Sequence, residues 1–369
     1  MDFLPEPLRS ILAFVLVLGV LVFIHELGHY LAARWRGIHV ERFSVGFGRA
    51  LATWTDRRGT EWRVGWLPLG GYVKLHGQET PEDAPPEVRA TWRIGETFHE
   101  KPVRDRAIVV AAGPAANFLL AVLLFAGIYT TLGQPGSTTS VGTVAEGGAA
   151  ARAGIAPGDR IVALDGQPMS RFEQVQGHIQ PRAGQPVRVE LDRAGSRIDV
   201  TATPERRGEG AAAVGVLGIS AAAAEFVRMD PASALWAGTV QTADITVQTL
   251  GAVWQMIAGG RGTEDLGGPL RIAQMSGQVA EMGLASLVSF MAVLSVNLAL
   301  INLFPIPVLD GGHLMFYAAE AIRGRPLPLR AQEIGFRAGF ALLITLFVFA
   351  TWNDLSQLGV VRWATGLFG

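Results

Sequence analysis

The stretch "FIHELGHYLA", residues 23–32, places two histidines and a glutamate inside a segment that is otherwise apolar. His25, Glu26 and His29 form the pattern H-E-x-x-H. On a helix the two histidines share one face and can bind one zinc ion, with the glutamate beside them to take a proton from water. Ionisable side chains inside a membrane span are costly, so their default interpretation is a functional site. The pattern predicts a metal site within a span; a proton relay or a packed polar cluster is the alternative.

Composition makes a membrane protein the first expectation. The chain has 369 residues, of which 49% are hydrophobic and only 17% are charged, and its mean hydropathy is +0.30. A formal net charge of -1 provides no basic field, so no nucleic-acid partner is expected. The chain contains no cysteine, which excludes disulfides, thiolate nucleophiles and cysteine-bound zinc. Any metal must therefore be held by His, Asp or Glu.

Four stretches are apolar and long enough to cross a hydrocarbon core of ~30 Å as helices. They are residues 11–33, 107–132, 284–304 and 334–352. The first stretch lacks a basic region before it and a small-residue cleavage site after it, so it predicts a retained anchor rather than a signal peptide. The chain is therefore expected to be a multi-pass α-helical membrane protein with four transmembrane helices.

The arginines predict how these spans are oriented. They cluster in the connectors 34–106 and 320–333, and the positive-inside rule places both connectors on the cytoplasmic side of an inner (plasma) membrane. Both termini and the long segment between the second and third spans are then expected in the periplasm. Spans one and three run in the same direction, from outside to inside.

Depth in the membrane selects a third metal ligand, because two histidines and a water leave a tetrahedral zinc one protein ligand short. His25 lies about 14 residues into the first span, roughly 21 Å along its axis, in the inner half of the membrane. The third span runs in the same direction and ends in "NLALINLFPIPVLDGGH", so that Asp310 arrives at a similar depth. His313 and Glu41 are the alternative ligands.

The backbone leading to this aspartate is predicted to leave the helix. Pro305 and Pro307 cannot continue helical hydrogen bonding, and Gly311 with Gly312 permits a tight turn. Irregular backbone at membrane depth is tolerated only where it is buried in protein or lines a wet cavity. Asn302, on the same segment, either holds a substrate carbonyl or an oxyanion, or makes an interhelical hydrogen bond.

The connector between the first two spans contains a hairpin signal over about residues 43–75. Alternating Phe, Val and Trp residues flank a polar turn at Asp56 to Gly59, the usual pattern of two antiparallel strands. The apolar tips "GFG" and "GWLPLGGYV" make this a membrane-associated hairpin; an ordinary cytoplasmic hairpin is the alternative.

The segment between the second and third spans divides into two parts. Residues 138–222 alternate short β-rich runs with Gly-rich turns and one helical stretch, which predicts a small periplasmic β-domain. Residues 223–283 carry apolar side chains at helical spacing and predict an amphipathic periplasmic helical segment. This segment either packs on the β-domain or lies on the membrane surface.

Several motifs together resemble the site-2 protease family of intramembrane zinc metalloproteases, and most closely its bacterial regulator-of-sigma-E branch. They are "HELGH" in the first span, the "GFG" hairpin, "PLGGYVKL", "GPAANF" in the second span and "NLFPIPVLDGGH" at the end of the third. The resemblance implies Zn2+ on His25, His29 and Asp310, with Glu26 as the catalytic base. It also implies a set of substrate-positioning residues: Asn302, Pro305, Pro307, Gly46 and Gly48.

The resemblance also assigns roles to larger parts of the chain. Residues 1–132 and 284–369 would form the two halves of the membrane protease core. The hairpin, from about Phe43 to Val73, would offer a strand edge to an unwound substrate segment.

The β-domain resembles a PDZ domain. The run "AGIAPGDRIVALDGQPM" is typical of one, and "GVLG", comprising Gly215, Val216, Leu217 and Gly218, resembles a carboxylate-binding loop displaced by circular permutation. A tight strand end is the other explanation of that tetrapeptide. The best-known members of the family carry two PDZ domains in tandem, whereas the segment here has room for one.

The implied function is zinc-dependent endopeptidase activity on the transmembrane segment of single-span membrane proteins. Such substrates, for example an anti-sigma factor or a remnant signal peptide, would already be trimmed by another protease, and the lipid bilayer is the other expected partner. One competing hypothesis is a membrane-anchored PDZ scaffold with an inactive protease core, which a metal assay separates. Another is a proton-coupled transporter that uses His25, Glu26 and Asp310 as a relay and is insensitive to zinc chelators.

Reporter tags test the predicted topology. A tag inserted after Trp92 is expected in the cytoplasm, and one after Gly136 in the periplasm, because the second span separates them. Compartment-specific reporter activity, such as alkaline phosphatase against a fluorescent protein, measures each position. Finding both tags on one side would overturn the argument that His25 and Asp310 share a depth.

Overall fold

A computed structural model describes residues 5–78, 85–135, 139–208, 214–222, 226–259 and 267–357. The chain folds into two compact units. The first, called the helical unit here, consists of Met1–Ile128 together with Asp230–Gly369; the second, the β-unit, is Tyr129–Met229. The β-unit is therefore an insertion within the sequence of the helical unit.

Both kinds of secondary structure occur. In the described residues the helices are α1 (Glu6–Trp35), α2 (Pro86–Ala90), α3 (Val103–Thr131), α4 (Ala149–Arg152), α5 (Phe172–Ile179), α6 (Pro231–Ile257), α7 (Pro269–Glu281), α8 (Leu284–Leu303), α9 (Asp310–Arg323) and α10 (Leu329–Gln357). A 3-10 helix covers Gln180–Arg182. The strands are β1 (Val40–Thr55), β2 (Glu61–Leu75), β3 (Gln134–Pro135), β4 (Val141–Val144), β5 (Arg160–Leu164), β6 (Gln167–Pro168), β7 (Val187–Arg193), β8 (Ser196–Ala202), β9 (Glu205–Arg207), β10 (Val214–Val216), β11 (Ile219–Ala221) and β12 (Phe226–Val227).

Four helices in the described part of the chain are long and apolar enough to cross a membrane: α1, α3, α8 and α10. They cover the four predicted spans, which are thereby confirmed as apolar helices. Helices α1 and α10 begin earlier than predicted, at Glu6 and Leu329. Hydropathy detects only the apolar part of a helix, and the polar turns that precede it continue the same backbone hydrogen bonding.

Strands β1 and β2 pair antiparallel, with Thr55 opposite Glu61. The turn between them is held by Asp56, whose Oδ1 accepts hydrogen bonds from the backbone amides of Arg58 and Thr60 at 2.8 and 3.0 Å. An aspartate that caps its own turn in this way is a common hairpin device. The structure thus contains a hairpin where the sequence predicts one, and its first strand begins three residues earlier, at Val40.

The β-unit is built around a four-stranded sheet in the order β6-β5-β7-β8. Strand β5 and helix α5 lie in the segment that the sequence predicts to contain short β-rich runs and one helical stretch. Buried Asp159 accepts two hydrogen bonds from Arg193, at 2.7 and 2.8 Å. These bonds hold the pKa of the Asp159 carboxyl below its usual range, and a backbone bond from Ala156 adds to the effect. The carboxylate therefore ties the start of β5 to the end of β7.

Two helices, α6 and α7, occupy the segment that the sequence predicts as one amphipathic stretch. Helix α6 packs closely on α3, where a β-carbon on Gly238 would lie 2.7 Å from the carbonyl oxygen of Val122. It also contacts α8, where the Thr249 hydroxyl donates to Asn297 Oδ1 at 3.2 Å. The partners of α6 are therefore two of the four apolar helices.

Helix α7 is attached at both of its ends to other helices. At its start the buried carboxylate of Asp354, on α10, accepts from the amides of Gly268 and Arg271 at 2.8 and 3.0 Å. At its end Glu281 pairs with Arg9 of α1. Gly268 has no side chain to cap the helix, so Asp354 supplies from another helix the acceptor that the first turn needs.

We expect Asp354→Ala to loosen the first turn of α7 by about 1–2 kcal/mol, the usual cost of a lost helix cap. Amide hydrogen exchange of that turn should then be roughly 5 to 30 times faster. Ser356→Ala is the matched control, since within the described residues its hydroxyl donates to Trp352 O of its own helix, and α7 should exchange as in the wild type. Unchanged exchange in Asp354→Ala would show that this carboxylate does not hold the helix.

Candidate metal centre

Three ligand atoms meet in the helical unit. His25 and His29 lie one turn apart on α1, with their Nε2 atoms 3.2 Å apart. Asp310, the first residue of α9, brings its Oδ2 to 3.2 Å from His25 Nε2 and 3.5 Å from His29 Nε2. The structure therefore brings together the three residues that the sequence predicts as ligands.

The spacing of these atoms fits a zinc ion. Zinc binds histidine nitrogen and carboxylate oxygen at about 2.0–2.2 Å in a tetrahedral site, which puts neighbouring ligand atoms roughly 3.3 Å apart. The three observed separations of 3.2, 3.2 and 3.5 Å lie around this value. Asp310 Oδ2 is buried and accepts no well-oriented hydrogen bond within the described residues. A buried carboxylate oxygen turned toward two imidazole nitrogens is the donor set of a cation site.

Helix α3 orients His29. The Nδ1 atom of His29 lies 2.9 Å from the carbonyl oxygen of Val109, so Nδ1 carries the proton and the Nε2 lone pair is free to bind a metal. Gly113 makes room for the ring, because a β-carbon there would overlap His29 Nε2. Gly28 likewise lets α1 approach the backbone of Ala112. These small residues determine the distance between the two helices.

His25 is held by an asparagine on α3. Its Nδ1 lies 3.3 Å from the side-chain amide nitrogen of Asn117, while Asn117 Oδ1 is buried and unpaired within the described residues. The amide orientation that satisfies both groups has Asn117 Oδ1 accepting the Nδ1 proton of His25. The backbone oxygen of Asn117 accepts from the Ser295 hydroxyl of α8 at 2.8 Å. Asn117 thus links all three helices around the site.

Sequence reasoning did not assign any role to Asn117, Gly113 or Ser295 individually. The motif "GPAANF" contributed only to the family resemblance. An amide in the middle of an apolar span is itself a signal, because such a group needs a partner inside the bundle. The partner of Asn117, however, becomes visible only once α1 and α3 are placed side by side.

The turn before Asp310 is compact for a reason other than the predicted one. Gly311 and Gly312 do not adopt positive φ; they lie in the first turn of α9, where β-carbons would overlap the carbonyl oxygens of Leu303 and Ile306. The positive φ of +106° falls on Val308 instead. A β-branched residue there is strained, at a cost of about 1–3 kcal/mol. The glycines are needed because backbone packs directly on backbone.

The alternative ligands lie elsewhere. Among the described residues that could hold a metal, the cluster contains neither His313 nor Glu41. The His313 ring lies 5.3 Å from that of Phe336. Glu41 pairs with Lys74 at 2.7 Å and with His76 at 2.8 Å.

Glu26 lies next to the hairpin. A β-carbon on Gly71 of β2 would come 2.9 Å from Glu26 Cγ, so β2 passes beside the glutamate. Asn302 donates its amide to Leu298 O at 3.0 Å, a bond within α8 rather than the interhelical bond considered from sequence. Pro305 and Pro307 belong to the turn that follows α8, and Pro307 bridges to Leu309.

Gly46 and Gly48 shape the hairpin backbone, with φ values of +86° and +80°. A β-carbon on Gly46 would lie 2.8 Å from Gly65 O, and the strand register shifts in this region. The structure thus explains these glycines by backbone conformation and close packing.

The predicted PDZ ligand loop lies beside a cavity in the β-unit. The cavity measures about 120 Å³ and is lined by α5 and by residues 214–219. Gly215 packs closely on the end of α5, because a β-carbon on it would lie 2.5 Å from Ile179 O. Gly218 has φ of +76° and needs to be glycine for that reason.

Comparison with known proteins gives one family for almost the whole chain. Residues 13–346 match Peptidase family M50. The chain is 43% identical to "Putative zinc metalloprotease R01501" of Rhizobium meliloti, over 95% of this chain and 97% of that protein. It is 39% identical to the metalloprotease MmpA of Caulobacter vibrioides, over 98% and 99%. It is 31% identical to the regulator of sigma-E protease RseP of Salmonella typhimurium, over 95% and 99%.

A solved structure matches a smaller part. The PDZ domain of an SdrC-like protein from Listeria innocua covers 25% of this chain and 100% of its own, at 17% identity and a TM-score of 0.21. A likeness of this size does not establish a shared fold.

Replacing the aspartate tests the ligand set. Asp310→Asn keeps the size of the side chain but removes its charge, and we expect zinc affinity to fall by about 100-fold or more, beyond the usual loss for a residue that only supports a ligand. Zinc per protein after purification and dialysis measures the effect. His313→Asn is the matched control and should bind zinc like the wild type. The reverse result would make His313 the ligand.

Proposed function

The chain belongs to Peptidase family M50, and from this premise we propose that it is a zinc-dependent endopeptidase that cuts single-span membrane proteins within their transmembrane segments. The observation that carries the proposal is the meeting of His25 and His29, on a helix apolar enough to cross a membrane, with Asp310 at the start of α9. The donor chemistry fits zinc, and the name of the Rhizobium meliloti relative includes zinc. A metal-dependent hydrolase inside a membrane explains both facts together.

Depth supports cleavage within the membrane. His25 precedes the end of α1 at Trp35 by ten residues, about 15 Å along the helix. With the predicted orientation, that end faces the cytoplasm, whereas the predicted start of the span, at residue 11, is 14 residues or about 21 Å away on the other side. Water then has its shorter route from the cytoplasmic side.

The residues of the chain supply orientation and proton transfer. His25, His29 and Asp310 would hold a zinc ion, which would supply a Lewis acid to polarise the scissile carbonyl and lower the pKa of water. Val109 and Asn117 hold the two imidazoles in the tautomer whose Nε2 is free. Glu26 takes the proton from the attacking water and passes it to the leaving amine.

The hairpin presents the substrate as an extended strand. A helical substrate hides its amides in its own hydrogen bonds, so it must unwind before hydrolysis. Strands β1 and β2 form one sheet. In it, residues 42–45 pair with 71–74 on one side and with 61–64 on the other, so residues 71–74 keep one edge without a partner in this sheet. Because Gly71 of β2 lies beside Glu26, a segment added to that sheet would pass close to the catalytic residue. Asn302, Pro305, Pro307, Gly46 and Gly48 remain the proposed substrate-positioning residues.

The substrates we propose are single-span proteins already trimmed outside the membrane, such as an anti-sigma factor or a remnant signal peptide. The regulator of sigma-E protease among the relatives supports this class. We place the enzyme in the inner membrane with its termini and the β-unit in the periplasm. The β-unit, interpreted as a PDZ domain, would meet the trimmed substrate through Gly215 to Gly218 beside its cavity.

Removal of the catalytic base provides the test. Glu26→Gln keeps the shape of the side chain but cannot accept the proton, so cleavage of a single-span reporter in vesicles should fall by at least about 10²–10⁴-fold, the usual share of a general base. Zinc content should stay at the wild-type level, since Glu26 is not a ligand.

The matched control is Glu333→Gln on α10, an exposed glutamate whose only ion pair in the described chain is with Arg337 of its own helix. Its reporter cleavage should equal that of the wild type. Full activity in Glu26→Gln with normal zinc would contradict the proposed role of the glutamate.

A further inference from the structure

We propose that α6 is embedded in the membrane, with one face toward lipid acyl chains and a neighbouring polar row that keeps a water-filled groove open at the depth of the metal site. The proposal goes beyond peptide hydrolysis and does not depend on it. It concerns a helix that the sequence places on the periplasmic side and that is not among the four candidate spans of the described chain.

Packing gives the depth of α6. Ile245 packs against a buried cluster formed by Ala121 of α3 with Val296 and Leu300 of α8. Val296 follows Ser295, whose hydroxyl bonds to Asn117 beside His25. Helix α6 therefore reaches the level of the metal ligands, one helix away from them. A helix on the outer surface could not contact residues this far along two spans.

Two tryptophans mark the exposed side of α6. Trp236 and Trp254 are 71% and 68% exposed and lie 18 residues apart on α6, which is five whole turns. They therefore share one side of the helix, and tryptophan is enriched at membrane interfaces. The residues between them on this side, Val240, Val247 and Leu250, are exposed and apolar.

Lipid is the occupant that this surface fits. Helix α6 packs on α3, whose outward Leu119 and Leu123 are 58% and 52% exposed on a candidate span. Lipid must cover the exposed side of any span. Because α6 lies beside α3 at the same depth, lipid also covers the exposed side of α6. The opposite side of α6, with Ala234, Gly238 and Thr242, is buried against its neighbours.

A polar row separates the lipid side of α6 from its packed side. It consists of Gln241, Asp244, Gln248 and Gln255, whose spacing of three, four and seven residues keeps them on one stripe. Asp244 is exposed and has no ion-pair partner among the described residues. A charged carboxylate at this depth is costly unless it pairs or faces a wet cavity. Water along this row satisfies the requirement.

The absence of cysteine from the chain allows a direct test with single-cysteine variants of the full-length protein. Val247→Cys and Gln248→Cys are neighbours at one depth, but Val247 lies on the lipid side of α6 and Gln248 lies in the polar row. Leu123→Cys on α3 is the lipid control, and Arg197→Cys on the β-unit is the aqueous control. Each variant is spin-labelled in phosphatidylcholine vesicles, and its collisions with oxygen and with a polar nickel chelate are measured by electron paramagnetic resonance.

We expect the label at residue 247 to behave like the lipid control, with high oxygen access and about tenfold fewer nickel collisions than the aqueous control, because polar reagents are excluded from hydrocarbon. The label at residue 248 should collide with nickel about as often as the aqueous control. Cysteines without the label provide a second measurement, in which a charged maleimide should react about tenfold faster at 248 than at 247.

Each other outcome overturns part of the proposal. Frequent nickel collisions at both positions would put α6 in water. Low nickel and high oxygen access at both would remove the water-filled groove. Low access of both reagents at 247 would mean that protein covers this side, either a second copy or another membrane helix, and would exclude lipid as its occupant.

Discussion

Polar atoms inside an apolar bundle need partners, and this constraint organises the helical unit. The most demanding case is the group of His25 Nε2, His29 Nε2 and Asp310 Oδ2, whose separations are 3.2 to 3.5 Å. Two elements nearly three hundred residues apart in sequence must place these atoms against one another. The surrounding helices supply the second layer, with Val109 and Asn117 bonded to the outer ring nitrogens. A bound cation would then satisfy these three ligand atoms.

Glycine makes this closeness possible. Gly28 and Gly113 let α1 meet α3 with backbone and imidazole in direct contact, and Gly311 and Gly312 let the start of α9 press against the turn that precedes it. Each position is one where a β-carbon would occupy space that a site atom or carbonyl already fills. In a bundle without a hydrophobic driving force between its helices, such close packing is a main source of stability. The site and the packing of the bundle therefore depend on the same residues.

The same constraint explains polar contacts far from the metal ligands. Asp354 caps α7 from α10, and Arg9 pairs with Glu281, so that α7 joins two apolar helices through contacts that give the buried side chains of Asp354 and Arg9 a partner. Helix α6 follows a related pattern, with a packed side, an apolar side and a row of amides around Asp244. Helices α6 and α7 both look amphipathic in sequence, but they differ in the helices and the surroundings that each of their sides contacts.

The sequence by itself determined the four apolar helices, the hairpin and the ligands His25, His29 and Asp310 as candidates, because hydropathy, turn residues and the H-E-x-x-H spacing are local properties. Three things were decided only by the tertiary structure. Asn117 became a partner of His25, the glycines before and after the ligands became contact points, and α6 packed on α3 and α8. Each depends on which residues from separate helices approach each other, and that distance is set by packing between elements, which no local pattern encodes.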